Sequence, residues 1–335
     1  MTRGQLYSVP MNLSGLVYLG MHERAIDRCR THPEEVSQFF DQSILRHGGD
    51  TFISVLYWIC NRGDKEIPIN LLKVMLEINP EVVGWCGKQG HSLCGTALSV
   101  VVKRLFSLSV IGEDARSWVE NLSEALRLML EAKPEGASIA ASDYPGTLPL
   151  NEALRCNGLA RTAPSHFISS FRRIFNAYPD AVSCRNRQGR FSLHIACIYN
   201  RHYAKEASEF IFSLLLGAYP DAAKERDSYK KFPLHYQLDF ESQIETNRVL
   251  DAHSLAALDL LLPAASQGDV LLGADDKDRT PFGQVCQTIS ELEESNTDDQ
   301  MQKLEALAML KMSLCFLLLK ENPEVVNFLN QESWG

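Results

Sequence analysis

Apolar positions along the chain fall three and four apart in a series of short runs, and each run is closed by the same kind of polar break. Ile168, Phe171, Ile174 and Phe175 form one such face, Phe210, Ile211, Leu214 and Leu215 a second, and Leu255, Leu258, Leu261 and Leu262 a third. This spacing predicts amphipathic helices. Pro179, Pro220 and Pro263 follow these runs at separations of 41 and 43 residues. The words around the breaks also return: AYPDAV at 177–182, AYPDAA at 218–223, INPEVV at 78–83, AKPEGA at 132–137 and ENPEVV at 321–326.

A second set of markers keeps step with the first. Asp143 to Pro149, Asn186 to Ser192, Asp227 to Pro233 and Asp275 to Pro281 are each six residues, and each pair leads into Leu150, Leu193, Leu234 or Phe282. Each pair reads as a turn opening a short helix. A unit therefore consists of a turn, a short helix, a polar connection, a longer apolar helix and a Pro break. Self-similarity at this spacing marks a solenoid, in which no unit buries its apolar face alone.

The words Pro233-Leu234-His235 and Leu193-His194-Ile195-Ala196 resemble the ankyrin repeat signature Thr-Pro-Leu-His-x-Ala. Leu150-Asn151-Glu152-Ala153 keeps the Leu and the Ala, whereas Ser92–Thr96 and Thr280–Gly283 are degenerate and are seen only through the period. The units exceed the ~33 residues usual for ankyrin repeats. The expected fold is all-α: an ankyrin-like helical-pair solenoid of about seven repeats with short turn or finger connections. Residues 1–46 are assigned to an N-terminal capping helix pair, and 327–335 to a C-terminal tail. The array between them divides into units 47–83, 84–137, 138–182, 183–223, 224–266 and 267–326.

The N-terminal cap is read as helices over Pro10–Leu19 and His22–Arg30, followed by helices at Thr51–Cys60, Ile69–Ile78, Thr96–Phe106, Trp118–Ala132 and Met301–Lys320. Ser107–Arg116 reads as a lengthened connection. The run from Glu291 to Gln300 carries five acids and no base, and reads as a solvated loop.

Composition narrows the function. The chain has 335 residues, 42 Asp and Glu against 33 Lys and Arg, and a pI near 5.5, which argues against a general nucleic-acid binder. Its nine cysteines are scattered with no CxxC, as expected of reduced thiols in the cytoplasm or nucleus. No apolar run approaches the ~20 residues needed to cross a bilayer. The sequence lacks the P-loop, GxGxxG, HExxH and GxSxG motifs, so neither cofactor nor metal is expected. His194 and His235 read as structural, their imidazoles bonding turn backbone groups. Cys197, three residues after His194, reads as core, and Cys86, His91 and Cys94 fall short of a four-ligand zinc set.

The resemblance implies a non-enzymatic scaffold that binds a partner protein through the first helices, which line a concave face, and through the finger turns. Carried onto this chain, the first helices offer Ile195, Ile198, Tyr199, Tyr236 and Phe240 as an apolar, partner-facing patch. The fingers add Arg185, Arg187, Arg190, Lys230 and Lys231. Between Cys184 and Phe191 and between Lys224 and Lys231 there are seven bases against Glu225 and Asp227, so this edge is basic and suits a partner with an acidic patch. A monomer with no nucleic-acid or membrane partner is expected. The competing readings are an architectural repeat of the TPR or HEAT type, and an enzyme subunit with its site in the inserted loops.

Overall fold

The computed structural model describes residues 12–41, 51–62, 66–89, 92–110, 113–140, 147–239, 252–265, 268–284 and 286–287, together with 308, 309, 312, 316 and 320. The chain is mostly helical. It forms two compact units, Met1–Ala181 and Val182–Gly335.

In the first unit, α1 (Leu13–Tyr18), α3 (Val55–Cys60), α5 (Ala97–Ser107) and α7 (Pro149–Arg155) pack in succession. A second succession is α2 (His22–Thr31), α4 (Ile69–Ile78), α6 (Glu113–Ala132) and α9 (Pro164–Ala177), with the short α8 (Gly158–Thr162) between the last pair of helices in sequence. Core residues come from both rows: Leu56, Ile59, Leu98, Val101 and Phe106 from the first, and Leu71, Met75, Leu126, Met129 and Phe171 from the second. Phe106 meets Phe167 edge-on at 5.2 Å, an arrangement favoured by the ring quadrupoles.

Helix α4 has the bounds expected from its periodicity, whereas the helix expected at Thr51–Cys60 does not begin at Thr51. Thr51–Ser54 is a strand, β2, and α3 starts only at Val55 because the Ser54 hydroxyl accepts the Tyr57 N–H at 3.1 Å as an N-cap. Around β2 lies a four-stranded antiparallel sheet in the order β1 (Phe39–Asp41), β2, β3 (Cys86–Gln89), β4 (Ser92–Thr96). Phe39 pairs with Ser54, Thr51 with Gln89 and Lys88 with Leu93. The finger turns of this unit are thus extended into hairpins, which an all-helical reading omits. Thr96 ends the sheet by capping α5, its hydroxyl accepting the Ser99 N–H. Helix α6 starts at Glu113, so part of the connection expected at Ser107–Arg116 is helical.

The Pro breaks have one recurring geometry. Pro33–Ser37, Pro80–Gly84, Pro134–Ser138, Pro179–Ser183 and Pro220–Lys224 are all 3-10 turns. The residue before each proline (His32, Asn79, Lys133, Tyr178 and Tyr219) has φ between −136° and −149°, because the proline ring excludes the helical conformation there. Its own N–H still closes the preceding helix, on Arg28, Met75, Met129, Ile174 and Leu215 respectively. Behind the proline, small or branched residues such as Val82–Val83 and Ala222–Ala223 turn into the core. Pro263 differs: it lies inside α13 (Ala252–Ala264), one residue from its end.

In the second unit, α10 (Ser192–Tyr199) packs on α12 (Pro233–Gln237), and α11 (Lys205–Ala218) packs on α13; the short α14 (Gly268–Leu271) follows. Three turns precede or follow these helices with one geometry. Gly189, Lys230 and Asp278 occupy the equivalent place in each and have φ of 69°, 56° and 57°. Only glycine adopts this left-handed backbone without a steric cost. A Cβ at Gly189 would also stand 3.0 Å from the Ser228 nitrogen.

Gly189→Val is therefore expected to lower unfolding stability by ~1–3 kcal/mol, whereas Asp278→Gly is expected to leave it unchanged or raise it, by up to ~1 kcal/mol. Urea unfolding of the two variants checks the sign of each. Leu193, 1% exposed, should cost ~2–5 kcal/mol when cut back to Ala in the same experiment.

Candidate functional site

The turns and first helices of the second unit are held by one repeated set of polar contacts. Each turn begins with Asn or Asp, whose side chain can accept N–H bonds from residues two and four further on. Asn186 Oδ1 accepts from Gln188 at 2.9 Å and Arg190 at 3.0 Å. Asp227 Oδ1 does the same from Tyr229 (2.8 Å) and Lys231 (3.0 Å), and Asp275 Oδ1 from Lys277 (2.9 Å) and Arg279 (3.0 Å).

The imidazoles connect each helix to the following turn. His194 Nδ1 accepts the Phe191 N–H at 3.3 Å, and His235 Nδ1 accepts the Phe232 N–H at 3.0 Å. With Nδ1 an acceptor, Nε2 carries the proton. That proton goes to the Lys231 carbonyl (3.2 Å) from His194 and to the Arg279 carbonyl (3.1 Å) from His235. Both nitrogens of each ring are committed to backbone, and both side chains are fully buried. Burial lowers each imidazole to about 4, against the opposing pull of Asp227 and the Lys231 carbonyl for His194, and of the Arg279 carbonyl and Asp275 for His235.

Arginines make a parallel set of ties. Arg185 lies over the Phe191 ring at 4.3 Å and donates to the carbonyls of Gly189 and Arg226. Arg226 repeats the device 41 residues on, over Phe232 at 4.6 Å and donating to the Ala274 carbonyl at 2.8 Å.

The densest cluster centres on Asp227, 7% exposed. Its Oδ2 accepts the Tyr236 hydroxyl at 2.6 Å and Arg190 Nε at 3.1 Å, while Arg190 Nη2 donates to the same Tyr236 oxygen at 2.7 Å. Burial pushes the Asp227 carboxyl up, but the bonds from Tyr236, Lys231, Arg190 and Tyr229 outweigh it and hold the group below the usual carboxylate range. Burial also pushes the Tyr236 phenol up, reinforced by Asp227. Lys231 turns towards Asp275 at 3.8 Å and lies over the Tyr236 ring.

These contacts redistribute the residues expected to bind a partner. Ile195 is 3% exposed: α10 is buried along Ser192–Cys197 because α11 and α12 both pack on it, so this side chain is core and cannot belong to a solvent-facing patch. Ile198 and Tyr199, at the end of the helix, are half-buried. Tyr236 is half-buried with its hydroxyl inside the Asp227 cluster, and Phe240 lies outside the described residues. Arg185, Arg190 and Lys231 are engaged by Glu225, Asp227 and Asp275. Arg187 and Lys230 are exposed and enter no ion pair among the described residues.

Two participants were not singled out from the sequence as site residues. Asp227 appears there only as a turn marker, although its recurrence with Asn186 and Asp275 is the signal that such a side chain has a job. Tyr229, 42% exposed at the tip of its turn, carries no such signal.

Cys197 and Cys60 are placed as core thiols. Burial raises Cys197 well above its ordinary value and takes Cys60 to about 12, and nucleophilic attack requires the thiolate. Among the described residues no group of three or more His, Cys, Asp and Glu could hold a metal ion, and no helix is long and apolar enough to cross a membrane. Comparison of the sequence with protein-family models and with curated proteins gives no match.

Two measurements check this cluster. Both imidazoles lie below their ordinary 6.5, so the unfolded chain takes up protons first: stability is complete above about 6.5 and falls as the pH drops towards about 4. His235→Ala is expected to lose ~2–4 kcal/mol at neutral pH by unpairing two buried backbone groups, and to flatten this slope. Tyr236→Phe, which removes one donor from a buried carboxylate, should cost ~1–3 kcal/mol in urea unfolding at pH 7.

Proposed function

We propose that this chain is a non-enzymatic protein-interaction scaffold built as a solenoid of long, divergent ankyrin-like repeats. The observation that carries the reading is the commitment of the reactive side chains. His194, His235, Asp227, Arg190 and Tyr236 are spent on backbone and on one another, so the positions left to meet a ligand are those the repeated framework does not use. Those positions are exposed turn tips (Arg187 and Gln188; Ser228, Tyr229 and Lys230; Asp276, Lys277 and Asp278) and the half-buried end of α10 at Ile198 and Tyr199. A surface that varies on a frame that repeats is suited to recognition.

The turns favour this reading over an architectural repeat of the TPR or HEAT type. Helix pairs of those types follow one another without an extended finger, whereas here β3 and β4 form a hairpin and the three later turns are hydrogen-bonded in register. The free cysteines among the described residues accord with a reducing cytoplasmic or nuclear setting.

Affinity capture by the full chain, read by mass spectrometry, tests the proposal with a paired variant. Ile198→Asp combined with Tyr199→Ala is expected to lose proteins that the wild type retains while melting within a few degrees of it. Turnover of ester, peptide or nucleotide substrates by the purified chain would overturn the reading.

A further inference from the structure

The three turn tips of the second unit are joined in a row. The Ser228 N–H donates to the Gln188 carbonyl at 2.9 Å, and the Asp276 N–H donates to the Tyr229 carbonyl at 3.1 Å. Charge along this row is set by what internal pairing leaves over. On the first two tips, Arg187 and Lys230 remain exposed and outside the ion pairs that engage Arg185, Arg190 and Lys231. On the third tip the sign changes, with exposed Asp276 and Asp278 against Lys277. On the second tip, beside Lys230, Tyr229 is 42% exposed, with the Arg190 guanidinium of the first turn 5.4 Å from its ring centroid.

Lys230 adds a second, independent pointer. It holds a left-handed backbone at φ 56° in the place that Gly189 fills in the preceding turn, where glycine would be less strained. Strain kept at an exposed position directs attention to what the side chain does. Here the side chain supplies the row with its second unpaired cation.

We infer that this row of tips, taken as the contact surface of the scaffold proposed above and resting on that reading, binds an extended peptide segment of a partner protein that carries a block of acidic residues followed by a basic one. Carboxylates meet Arg187 and Lys230, an apolar or aromatic side chain lies against Tyr229, and a cation meets Asp276 and Asp278. A single-stranded nucleic acid fits less well: its phosphates would continue past Lys230 onto two carboxylates, on a chain of net charge −9.

The test uses the full chain and fluorescence anisotropy at low salt. The probe is a labelled peptide with glutamates in one block and lysines in the next; the controls are a peptide of the same composition with alternating charge and a single-stranded oligothymidylate. The block peptide is expected to bind more tightly than either control. Arg187→Glu with Lys230→Glu should weaken it about tenfold and reduce its salt dependence. Lys230→Gly separates binding from folding, because it removes the cation while relieving the backbone: the block peptide should bind several-fold more weakly to a variant that melts no lower than the wild type. Equal affinity for the alternating peptide, preference for the oligonucleotide, absence of block-peptide binding, or unchanged affinity in Lys230→Gly overturns the inference. Natural partners captured by the wild type and equally by the Arg187→Glu, Lys230→Glu variant also overturn it while leaving the scaffold reading standing.

Discussion

A neutral imidazole with one nitrogen on its own turn and the other on the next is the contact on which the second unit depends. Each histidine accepts at Nδ1 and donates at Nε2, so it satisfies an N–H at the mouth of its helix and a carbonyl of the neighbouring turn at once. Protonation would replace the acceptor with a second donor and set it against an N–H. Burial prevents this by favouring the uncharged ring. The Asx side chains shape each turn, the arginines tie it forward, and the imidazole sets the distance between the two.

Much of this was legible because the physics repeats at fixed offsets. The Pro break announced the end of a helix, and the residue before it has a backbone that no helix interior tolerates; hence the C-terminal end of α4 and the places of the five breaks could be anticipated, whereas their 3-10 geometry was not read. The Asx markers at Asn186, Asp227 and Asp275 located three turns, while Asp143 lies outside the described residues. What escaped were features set by neighbours. Thr51–Ser54 reads as helix alone and becomes strand because β1 and β3 lie on either side of it. Ile195 reads as a surface position on a single helix and is core because α10 is covered from two directions.

Charge shows the same limit more sharply. The sequence between Cys184 and Lys231 looks like a broad basic edge, yet most of it is internal wiring. Arg185, Arg190 and Lys231 face Glu225, Asp227 and Asp275, each drawn from the following turn. A count of residues cannot distinguish a cation that holds two turns together from one that faces water. Position within the turn can, since Arg187 lies towards the tip whereas its neighbours two and three residues away reach the following turn.

The ties also have a direction. His194 reaches 37 residues ahead for its carbonyl and His235 reaches 44, while Arg185 and Arg226 likewise donate to carbonyls further along the chain. On a ribosome, which releases the N-terminal end first, a turn that has emerged keeps its forward donors open until the following turn is made. At ~5–20 residues per second that interval is roughly 2–9 s. The nascent chain of this unit thus always ends in one unlatched turn, and each new turn closes the one before it.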